Sequence, residues 1–304
     1  MFFSTIEDVL TQLESADYIT SREIATVVFL AAKTEKPILV EGPAGVGKTE
    51  LAKAISLSLG HELIRLQCYE GLDEAKALYE WEYAKQLLYT QMVKEKVQDV
   101  IKGAKNLSEA VEKIASQEDA FFTDRFIQPR PLLKAISSND PVVLLIDEVD
   151  KSDPEFEAFL LELLSDFQVS IPEIGTRKAK TIPMVFLTSN NYRDMSDALK
   201  RRCLHLYIDY PDRETEMRIV RLKLPGIKEQ LLGNIIDTIN NIRALDLKKK
   251  PCISETLDWA RSLVALQIGD LSREVVANTL NVILKYRTDV DLAMSQLDKI
   301  VTTH

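Results

Sequence analysis

The chain has 304 residues, 46% hydrophobic and 28% charged, which is enough for a full α/β core and one smaller domain. No stretch approaches the ~20 consecutive apolar residues of a membrane span, and Met1 to Phe3 lead into polar residues rather than a signal peptide, so we expect a cytoplasmic protein. A net charge of −9 and a pI near 5.1 argue against tight sequence-independent binding of nucleic acid.

The first predicted element is a helix over Thr20 to Ala32, where apolar residues recur at helical spacing. We expect residues 1–34 to form N-terminal helices that lead into the core. Ile38 to Val40 is a wholly apolar run that breaks at Gly42, which is typical of a buried parallel strand. Helical spacing then resumes from Lys48 to Leu59.

Further short apolar runs continue the alternation of strand and helix: Leu63–Leu66, Val142–Ile146, Val185–Thr188 and Leu204–Ile208. Together they predict an α/β fold with a doubly wound five-stranded parallel sheet over residues 35–210. The stretch from Tyr69 to Ser138 shows no strand pattern and is too long for a simple crossover, so we predict a helical insertion at about 69–138. After Tyr210 only helical periodicity returns, and residues 211–304 are predicted to form a small all-helical lid domain.

A phosphate-binding loop follows the first predicted strand. Gly42 to Thr49 fits G-x-x-x-x-G-K-[ST], with a strand before it and a helix after it. Its glycines let backbone N–H groups turn towards a phosphate, and the helix N-terminus adds its dipole. Lys48 would reach the β and γ phosphates of ATP, while the Thr49 hydroxyl would coordinate Mg²⁺. The residues predicted to contact the nucleotide here are Gly42, Pro43, Ala44, Gly45, Val46, Gly47, Lys48, Thr49 and Glu50.

Two carboxylates end the strand over Val142 to Ile146. Asp147 and Glu148 would emerge at the carboxyl edge of the sheet, where open α/β folds bind ligands. Asp147 would hold Mg²⁺ together with Thr49, and Glu148 would polarise the attacking water as a general base. The alternative is an acidic pair that caps the next helix, and a preceding phosphate loop weakens it.

The next strand runs into Thr188, Ser189 and Asn190, which puts the Asn190 amide at the same edge, where it would orient the water beside Glu148. Ordinary turn chemistry is the alternative for this segment. The position of Asn190, between the preceding strands and the last one, makes it a good candidate for a role in the site.

Two arginines, Arg201 and Arg202, precede the last strand. In a ring of protomers an arginine here would point at the neighbour's γ-phosphate and stabilise the charge of the phosphoryl transition state. A solvated basic pair is the alternative, and the sequence leaves open which of the two arginines would act.

Arg273 lies in the first turn of a predicted helix, for which Asp270 or Ser272 is the candidate N-cap. An arginine there opposes the helix dipole, which makes sense if it reaches a nucleotide phosphate across the domain cleft. An exposed residue without such a role is the alternative.

This order of motifs resembles that of AAA+ ATPases. The resemblance implies a Walker A loop at Gly42–Thr49, a Walker B pair at Asp147 and Glu148, sensor 1 at Asn190, an arginine finger at Arg202 with Arg201, and sensor 2 at Arg273. It also implies that Tyr18 and Ile19, just before the first core helix, lie beside the adenine.

Four segments are similar to MoxR-type ATPases of the CoxD-like branch, namely Gly42–Thr49, Leu66–Ala75, Phe156–Glu162 and Leu199–Cys203. The resemblance implies a hexameric ring that, with a von Willebrand A-domain protein, matures a metal cofactor in a client metalloenzyme, often a molybdenum hydroxylase such as carbon monoxide dehydrogenase. ATP and Mg²⁺ are the implied cofactors.

Other classes fit the sequence less well. The Asn-Lys-x-Asp motif that recognises guanine in GTPases is absent from the sequence. RecA-like motors carry the catalytic glutamate on a different strand from the Walker B aspartate, whereas Asp147 and Glu148 are adjacent here. Two functions compete with the maturation chaperone: an AAA+ subunit acting on nucleic acid, such as a helicase loader, and a nucleotide-gated scaffold that does not hydrolyse ATP. The net negative charge weakens the nucleic-acid alternative, and the presence of Glu148 and Arg202 weakens the scaffold alternative.

The three cysteines, Cys68, Cys203 and Cys252, are scattered and odd in number, which favours reduced, buried thiols over a disulfide framework. The three histidines have no spaced cysteine or carboxylate companions of the kind that binds zinc. We therefore expect structural roles for both residue types.

Overall fold

The structure, a computed structural model, describes residues 2–92, 124–172 and 174–301. Its β-strands are Ile38–Glu41 (β1), Glu62–Gln67 (β2), Tyr79–Trp81 (β3), Ile127–Pro129 (β4), Val142–Asp147 (β5), Gln168–Ile171 (β6), Gly175–Lys178 (β7), Met184–Ser189 (β8) and Leu204–Tyr207 (β9). The described α-helices are Ile6–Ser15 (α1), Arg22–Thr34 (α2), Lys48–Leu59 (α3), Glu74–Leu78 (α4), Tyr83–Met92 (α5), Pro131–Ser137 (α6), Pro154–Asp166 (α7), Asp197–Arg202 (α8), Arg213–Lys223 (α9), Glu229–Arg243 (α10), Ile253–Ala265 (α11), Arg273–Ile283 (α12), Arg287–Ser295 (α13) and Leu297–Ile300 (α14).

The main sheet has five parallel strands in the order β2-β5-β8-β1-β9. Its five members are the five predicted apolar runs, so the predicted doubly wound sheet is confirmed. β5 and β8 are buried along their whole length because they are inner strands covered by helices on both faces. The strand order places β5, β8 and β1 side by side, so their carboxyl ends form one continuous edge.

Two hydrophobic layers cover the sheet, one on each face. Along β1, Leu39 packs into one layer while Ile38 and Val40 pack into the other, as the alternation of a strand requires. The helices α1, α2 and α3 contribute to the second layer. Burial of each aliphatic side chain stabilises the folded state by roughly 1.5–3 kcal/mol. The two layers together therefore hold the strands, and with them the strand ends, in place.

The predicted absence of strands from the insertion is wrong. β3 and β4 lie within 69–138 and pair antiparallel, with Trp81 opposite Ile127. The Trp81 ring lies 6.5 Å from that of Phe126, so aromatic packing supports strands of only three residues each, too short to show a period in sequence. Residues 93–123, nearly half of the predicted helical insertion, lie outside the described residues. A second hairpin, β6–β7, had no counterpart in the sequence analysis.

The described residues after β9 form helices only, as predicted. α9 to α14 share a hydrophobic cluster of their own, centred on the fully buried Trp259, whose indole N–H donates to Thr279 at 2.9 Å. A buried ion pair between Glu216 and Arg243 joins α9 to α10 within this group. Within the described ranges, no helix combines the length and the apolar character needed to cross a membrane.

Candidate functional site

The phosphate loop between β1 and α3 has a shape that only glycine permits at two positions. Gly42 has φ +146°, and a Cβ there would lie 2.0 Å from the Ile208 carbonyl oxygen. Gly45 has φ +76°, and a Cβ there would lie 2.0 Å from the Cys252 sulfur. The loop is therefore clamped between β9 and the beginning of α11, which leaves its concave side open.

Lys48 joins the loop to β8. Its Nζ donates to the carbonyl oxygens of Gly42 at 2.8 Å and Pro43 at 2.6 Å, and to Asn190 Oδ1 at 2.7 Å. Burial lowers the pKa of Lys48, while the nearby carboxylates, Asp150 first, act to raise it. The ammonium is therefore a buried donor at the strand ends. A phosphate oxygen would accept a stronger hydrogen bond from it than a backbone carbonyl does.

Thr49 and Asp147 meet as a pair of oxygen donors. Asp147 is 2% exposed, and its Oδ1 accepts from the Thr49 hydroxyl at 2.9 Å and from the Thr188 hydroxyl at 2.5 Å. Hard oxygen donors beside a phosphate loop suit Mg²⁺, so the residues present fit this ion. No group of three or more His, Cys, Asp or Glu side chains able to hold a metal occurs in the described part of the chain. Nucleotide phosphate and water would therefore have to supply the remaining ligands.

Glu148 is surrounded by donors. Asn190 Nδ2 donates to its Oε1 at 3.1 Å, while Gln67 Nε2 at 2.9 Å and Lys151 Nζ at 2.7 Å donate to its Oε2. Its φ of +56° lies in the left-handed region, which costs a non-glycine residue about 1 kcal/mol or more. The surrounding contacts hold this carboxylate in one orientation next to the phosphate loop, as the predicted general base requires.

Asp150 fixes the loop that carries Asn190. It is 1% exposed, and its Oδ2 accepts the backbone N–H groups of Asn190 at 2.9 Å and Tyr192 at 2.8 Å. Asn190 in turn contacts both Lys48 and Glu148 through opposite ends of its amide. The structure therefore brings together every predicted residue of the phosphate loop, the acidic pair and the Asn190 position.

Two cavities meet at the phosphate loop and share Gly45, Gly47, Glu50 and Ser254 in their walls. The smaller cavity, of about 220 Å³, is lined by the polar and charged residues described above, including Lys48, Thr49, Asp147, Glu148 and Asn190. The larger, of about 360 Å³, is lined by Ala16, Asp17, Tyr18, Ile19, Val46, Lys53, Ala54, Leu57, Ile219, Leu222, Lys223, Ile253 and Leu257. Tyr18 and Ile19 thus lie in a largely apolar recess beside the loop, which suits a flat base.

The three arginines that were predicted to act on the nucleotide lie away from the phosphate loop. Arg201 and Arg202 are exposed and line a separate cavity of about 520 Å³, together with Glu35, Asp166 and others. Within the described ranges neither guanidinium has a hydrogen-bond or ion-pair partner.

Arg273 lines neither of the two cavities at the phosphate loop. It forms an ion pair with Asp298 at 2.7 Å, and Ser272 is the N-cap of its helix. The structure therefore does not bring Arg273, the predicted sensor 2 residue, to the site, and its charge is paired on the surface with a carboxylate of a neighbouring helix.

Several residues of the site were not predicted from sequence. Arg65 and Gln67 on β2 contact Asp147 and Glu148, while Cys252 and Ser254 at the beginning of α11 touch the phosphate loop. The alternation of polar Arg65 and Gln67 with apolar Ile64 and Leu66 was the one available signal, since it marks an edge strand with a polar face.

Comparison with known proteins identifies the family. Residues 38–210 match the family model for the ATPase family associated with various cellular activities (AAA). The chain belongs to the AAA family. As a member of that family it is a nucleotide-binding ATPase.

Curated relatives of this AAA protein are distant. The gas vesicle ATPase GvpN of Ancylobacter aquaticus is 26% identical over 246 residues, which cover 78% of this chain and 62% of that protein. An uncharacterized protein of Staphylococcus haemolyticus is 25% identical over 238 residues, 76% of each chain. The Lon protease of Rickettsia conorii is 27% identical over 274 residues, which cover 85% of this chain and 29% of the protease. The chain thus spans less than two thirds of the length of two of these relatives.

Among solved structures, the Thermotoga maritima RuvB Holliday junction branch migration motor aligns over 88% of this chain and 68% of its own, at 15% identity and a TM-score of 0.47. A mutant of the same RuvB aligns over 92% of this chain and 71% of its own, at 16% identity and a TM-score of 0.48.

Proposed function

We propose that this AAA ATPase works as a ring of protomers, hydrolyses ATP with Mg²⁺, and uses the turnover to remodel or mature another protein. The observation that carries the proposal is the contact set around Asn190, which joins the phosphate-binding Lys48 to the Glu148 carboxylate. Such a connection places a base and a cation in the wall of one cavity of about 220 Å³. A non-hydrolysing scaffold would have no need of it.

Each residue has a defined task in the proposed reaction. Lys48 binds the β and γ phosphates, and Thr49 and Asp147 hold Mg²⁺, which neutralises phosphate charge when it is bound. Glu148 accepts a proton from the attacking water, and Asn190 orients that water and the Glu148 carboxylate. Tyr18 and Ile19 contact the base in the larger cavity.

The proposed ring rests on Arg201 and Arg202. They precede β9, at the opposite end of that strand from Ile208, which contacts the phosphate loop, and they are exposed and without partners within the described residues. An arginine supplied by a neighbouring protomer stabilises transition-state charge, and known cases gain roughly 10³ to 10⁵ in rate. A hexamer, with residues 211–304 acting as the lid of each protomer, is the assembly we propose.

The proposed substrate is a protein rather than a nucleic acid. The motifs resemble MoxR-type ATPases of the CoxD-like branch, and one curated relative is named as a gas vesicle ATPase. The net charge of −9 also disfavours a nucleic-acid substrate. We therefore propose a von Willebrand A-domain protein as partner and a metalloenzyme, such as a molybdenum hydroxylase, as client.

A trapped variant tests the partner. Glu148→Gln should bind ATP and stop turnover, so that complexes formed in the ATP state persist and can be purified with their partners. Glu162→Gln, an exposed change on α7, is the matched control. Recovery of an A-domain protein or a metalloenzyme with the trapped variant supports the proposal. Stimulation of the ATPase by DNA, with neither protein recovered, would point to the nucleic-acid alternative.

Ring assembly has its own test. The ATPase rate per protomer should rise with protein concentration, because Arg202 or Arg201 of a neighbour completes the site. Arg202→Ala and Arg201→Ala should bind nucleotide normally, and the one that removes the finger should lose turnover by about 10³-fold. Arg287→Ala, at a position 87% exposed, serves as the control. Full activity in protein that is monomeric at the assay concentration would exclude a site completed between protomers.

A further inference from the structure

A separate cavity lies near the amino ends of β5 and β8, away from the phosphate loop. Ser137 and Lys180 line it, and they lie shortly before these two strands. Lys180 Nζ donates to Asn139 Oδ1 at 3.1 Å, and the Thr181 hydroxyl donates to the Asn139 carbonyl oxygen at 3.1 Å, which joins the segments that lead into the strands. With a volume of about 470 Å³, the cavity is in the size range of ligand pockets.

The floor of this cavity is aliphatic and is built by three elements. Ile127 of β4, Ile136 of α6 and Ile171 of β6 line it, and Leu133 of α6 lies beside them. All four side chains are buried in the hydrophobic cluster on one face of the main sheet. The floor is therefore formed in the absence of a ligand, and an aliphatic side chain placed on it would lose apolar surface to water.

The rim of the cavity is basic, although the whole chain carries a net charge of −9. Arg177, Lys178 and Lys180 contribute to it, and none of the described residues that line the cavity is acidic. Lys180 has the neutral Asn139 amide as its partner. The Lys178 ammonium has no hydrogen-bond or ion-pair partner within the described ranges. Two lysines therefore border an aliphatic floor without a carboxylate of the described chain to neutralise them.

We propose that this cavity binds an acidic segment of a partner protein, in which an aliphatic side chain enters the floor and flanking carboxylates pair with Lys178 and Lys180. An apolar centre with a polar rim is the usual composition of a protein–protein site, and clusters of basic side chains recognise acidic motifs. A single-stranded nucleic acid fits less well, because the described lining residues include no aromatic ring on which a base could stack. This inference rests on the proposed function, since it names the chemistry of its protein partner.

Three labelled peptides test the chemistry on the unmodified full chain. The probe is a short fluorescein-labelled peptide of alternating aspartate and leucine, and its binding is followed by fluorescence anisotropy. We expect saturable binding that weakens at least about tenfold when asparagine replaces every aspartate, or when serine replaces every leucine, because each change removes one complementary feature. Absence of binding, or equal affinity for the three peptides, would overturn the proposal.

A pair of charge-reversed double variants locates the binding. Lys178→Glu combined with Lys180→Glu should weaken the aspartate-leucine peptide at least about tenfold. Lys228→Glu combined with Lys250→Glu makes the same change in net charge at exposed positions that do not line the cavity, and should stay within about twofold of the wild type. An equal loss in both double variants would overturn the proposal, because it would reflect net charge alone.

Ser137→Trp tests the cavity without a change of charge. Ser137 is exposed at the end of α6, so an indole there would fill the cavity, weaken the peptide about tenfold and leave the ATPase rate unchanged. Unchanged peptide affinity would overturn the proposal. Tighter binding of a DNA oligonucleotide than of the peptide, lost in Lys178→Glu with Lys180→Glu, would also overturn it and assign the cavity to nucleic acid.

The ATPase rate separates failure of this inference from failure of the proposed function. A protein that hydrolyses ATP and binds none of the three peptides would refute the role of the cavity alone. A protein that binds the aspartate-leucine peptide through the cavity and hydrolyses no ATP would instead refute the proposed turnover.

Discussion

Asn190 connects parts of the site that lie 142 residues apart in the chain, as its contact with Lys48 shows. Its side-chain oxygen accepts from Lys48 and its nitrogen donates to Glu148, so an amide is the one neutral group of this size that satisfies both. A carboxylate here would repel Glu148, and an aliphatic side chain would leave the Lys48 ammonium short of a partner.

We predict that Asn190→Ala lowers kcat about 10²-fold, the cost typical of losing one aligned polar group in an active site, while the nucleotide Kd changes by only a few-fold. Steady-state ATPase rates and binding of a fluorescent nucleotide measure the two quantities separately. Asn234→Ala is the control, because it removes from α10 an amide that donates to Asp270 outside the site. A loss of nucleotide affinity with kcat unchanged would show that Asn190 acts on ground-state binding instead.

Residues at strand ends were predictable, and residues on strand faces were not. Asp147, Glu148 and Asn190 follow apolar runs, so their position at one sheet edge follows from the parallel fold. Arg65 and Gln67 lie along an edge strand, and nothing in their spacing reveals which strand they face.

The local partner of Arg273 could not be predicted from the sequence for a related reason. Its partner Asp298 belongs to another helix, 25 positions further along, and only the packing of α12 against α14 brings the two together.

At the scale of elements, one ion pair joins the C-terminal helices. Arg243 at the end of α10 donates through both Nη atoms to the Glu216 carboxylate of α9, at 2.6 and 2.8 Å. Glu216 also accepts from Thr256 of α11 at 2.8 Å, and the Arg243 guanidinium lies 5.2 Å from the Tyr210 ring centroid. Three helices and the segment after β9 therefore share one buried charge centre.

We predict that Arg243→Met destabilises the protein by about 3–5 kcal/mol, because it leaves the fully buried Glu216 carboxylate without its cation. The double variant Glu216→Met with Arg243→Met should be less destabilised than this single variant. Chemical denaturation followed by tryptophan fluorescence of the buried Trp259 measures the difference.

The exposed pair Arg221 and Glu229 provides the comparison, and Arg221→Met should have a much smaller effect. A double variant as unstable as the two single variants combined would show that the pair contributes no mutual compensation.

The elements themselves were predictable in proportion to their length and apolar content. The five strands of the main sheet and the helix Lys48–Leu59 were found because each is bounded by clear breaks. β3 and β4 escaped because three residues cannot establish a period of two, and their stability comes from Trp81 and Phe126 across the hairpin. Tertiary packing, rather than local pattern, specifies such strands.

At the scale of the whole molecule, the three thiols are free and buried, in agreement with the expected structural role. Burial raises the pKa of Cys68 and Cys203 to about 12. Burial also raises the pKa of Cys252, and a hydrogen bond to Glu255 acts in the same direction. Thiolate, the reactive form, is therefore scarce near neutral pH and becomes more abundant as the pH rises towards these values.

We predict slow maleimide labelling of the native protein at pH 7, with Cys252 reacting first. Cys68 and Cys203 lie inside the core and react only after it opens, whereas Cys252 is covered by the contact between α11 and the phosphate loop. Added nucleotide should slow Cys252 most, since a ligand bound on both sides of the contact disfavours its opening. Mass spectrometry after timed labelling resolves the three sites, and Cys68 and Cys203 act as internal controls. Labelling of Cys252 at the rate of Cys203 would contradict the prediction.

The clamping of Gly45 by Cys252 has a consequence for a protein that would work under mechanical load. The Cys252 side chain at the beginning of α11 packs directly against the loop backbone, since a Cβ on Gly45 would lie 2.0 Å from its sulfur. Tension that tilts the C-terminal helices is then transmitted to the loop that holds the phosphates. In the remodelling ATPase that we propose, nucleotide affinity would then depend on applied load, and a pull on one protomer would change the rate at which it releases product.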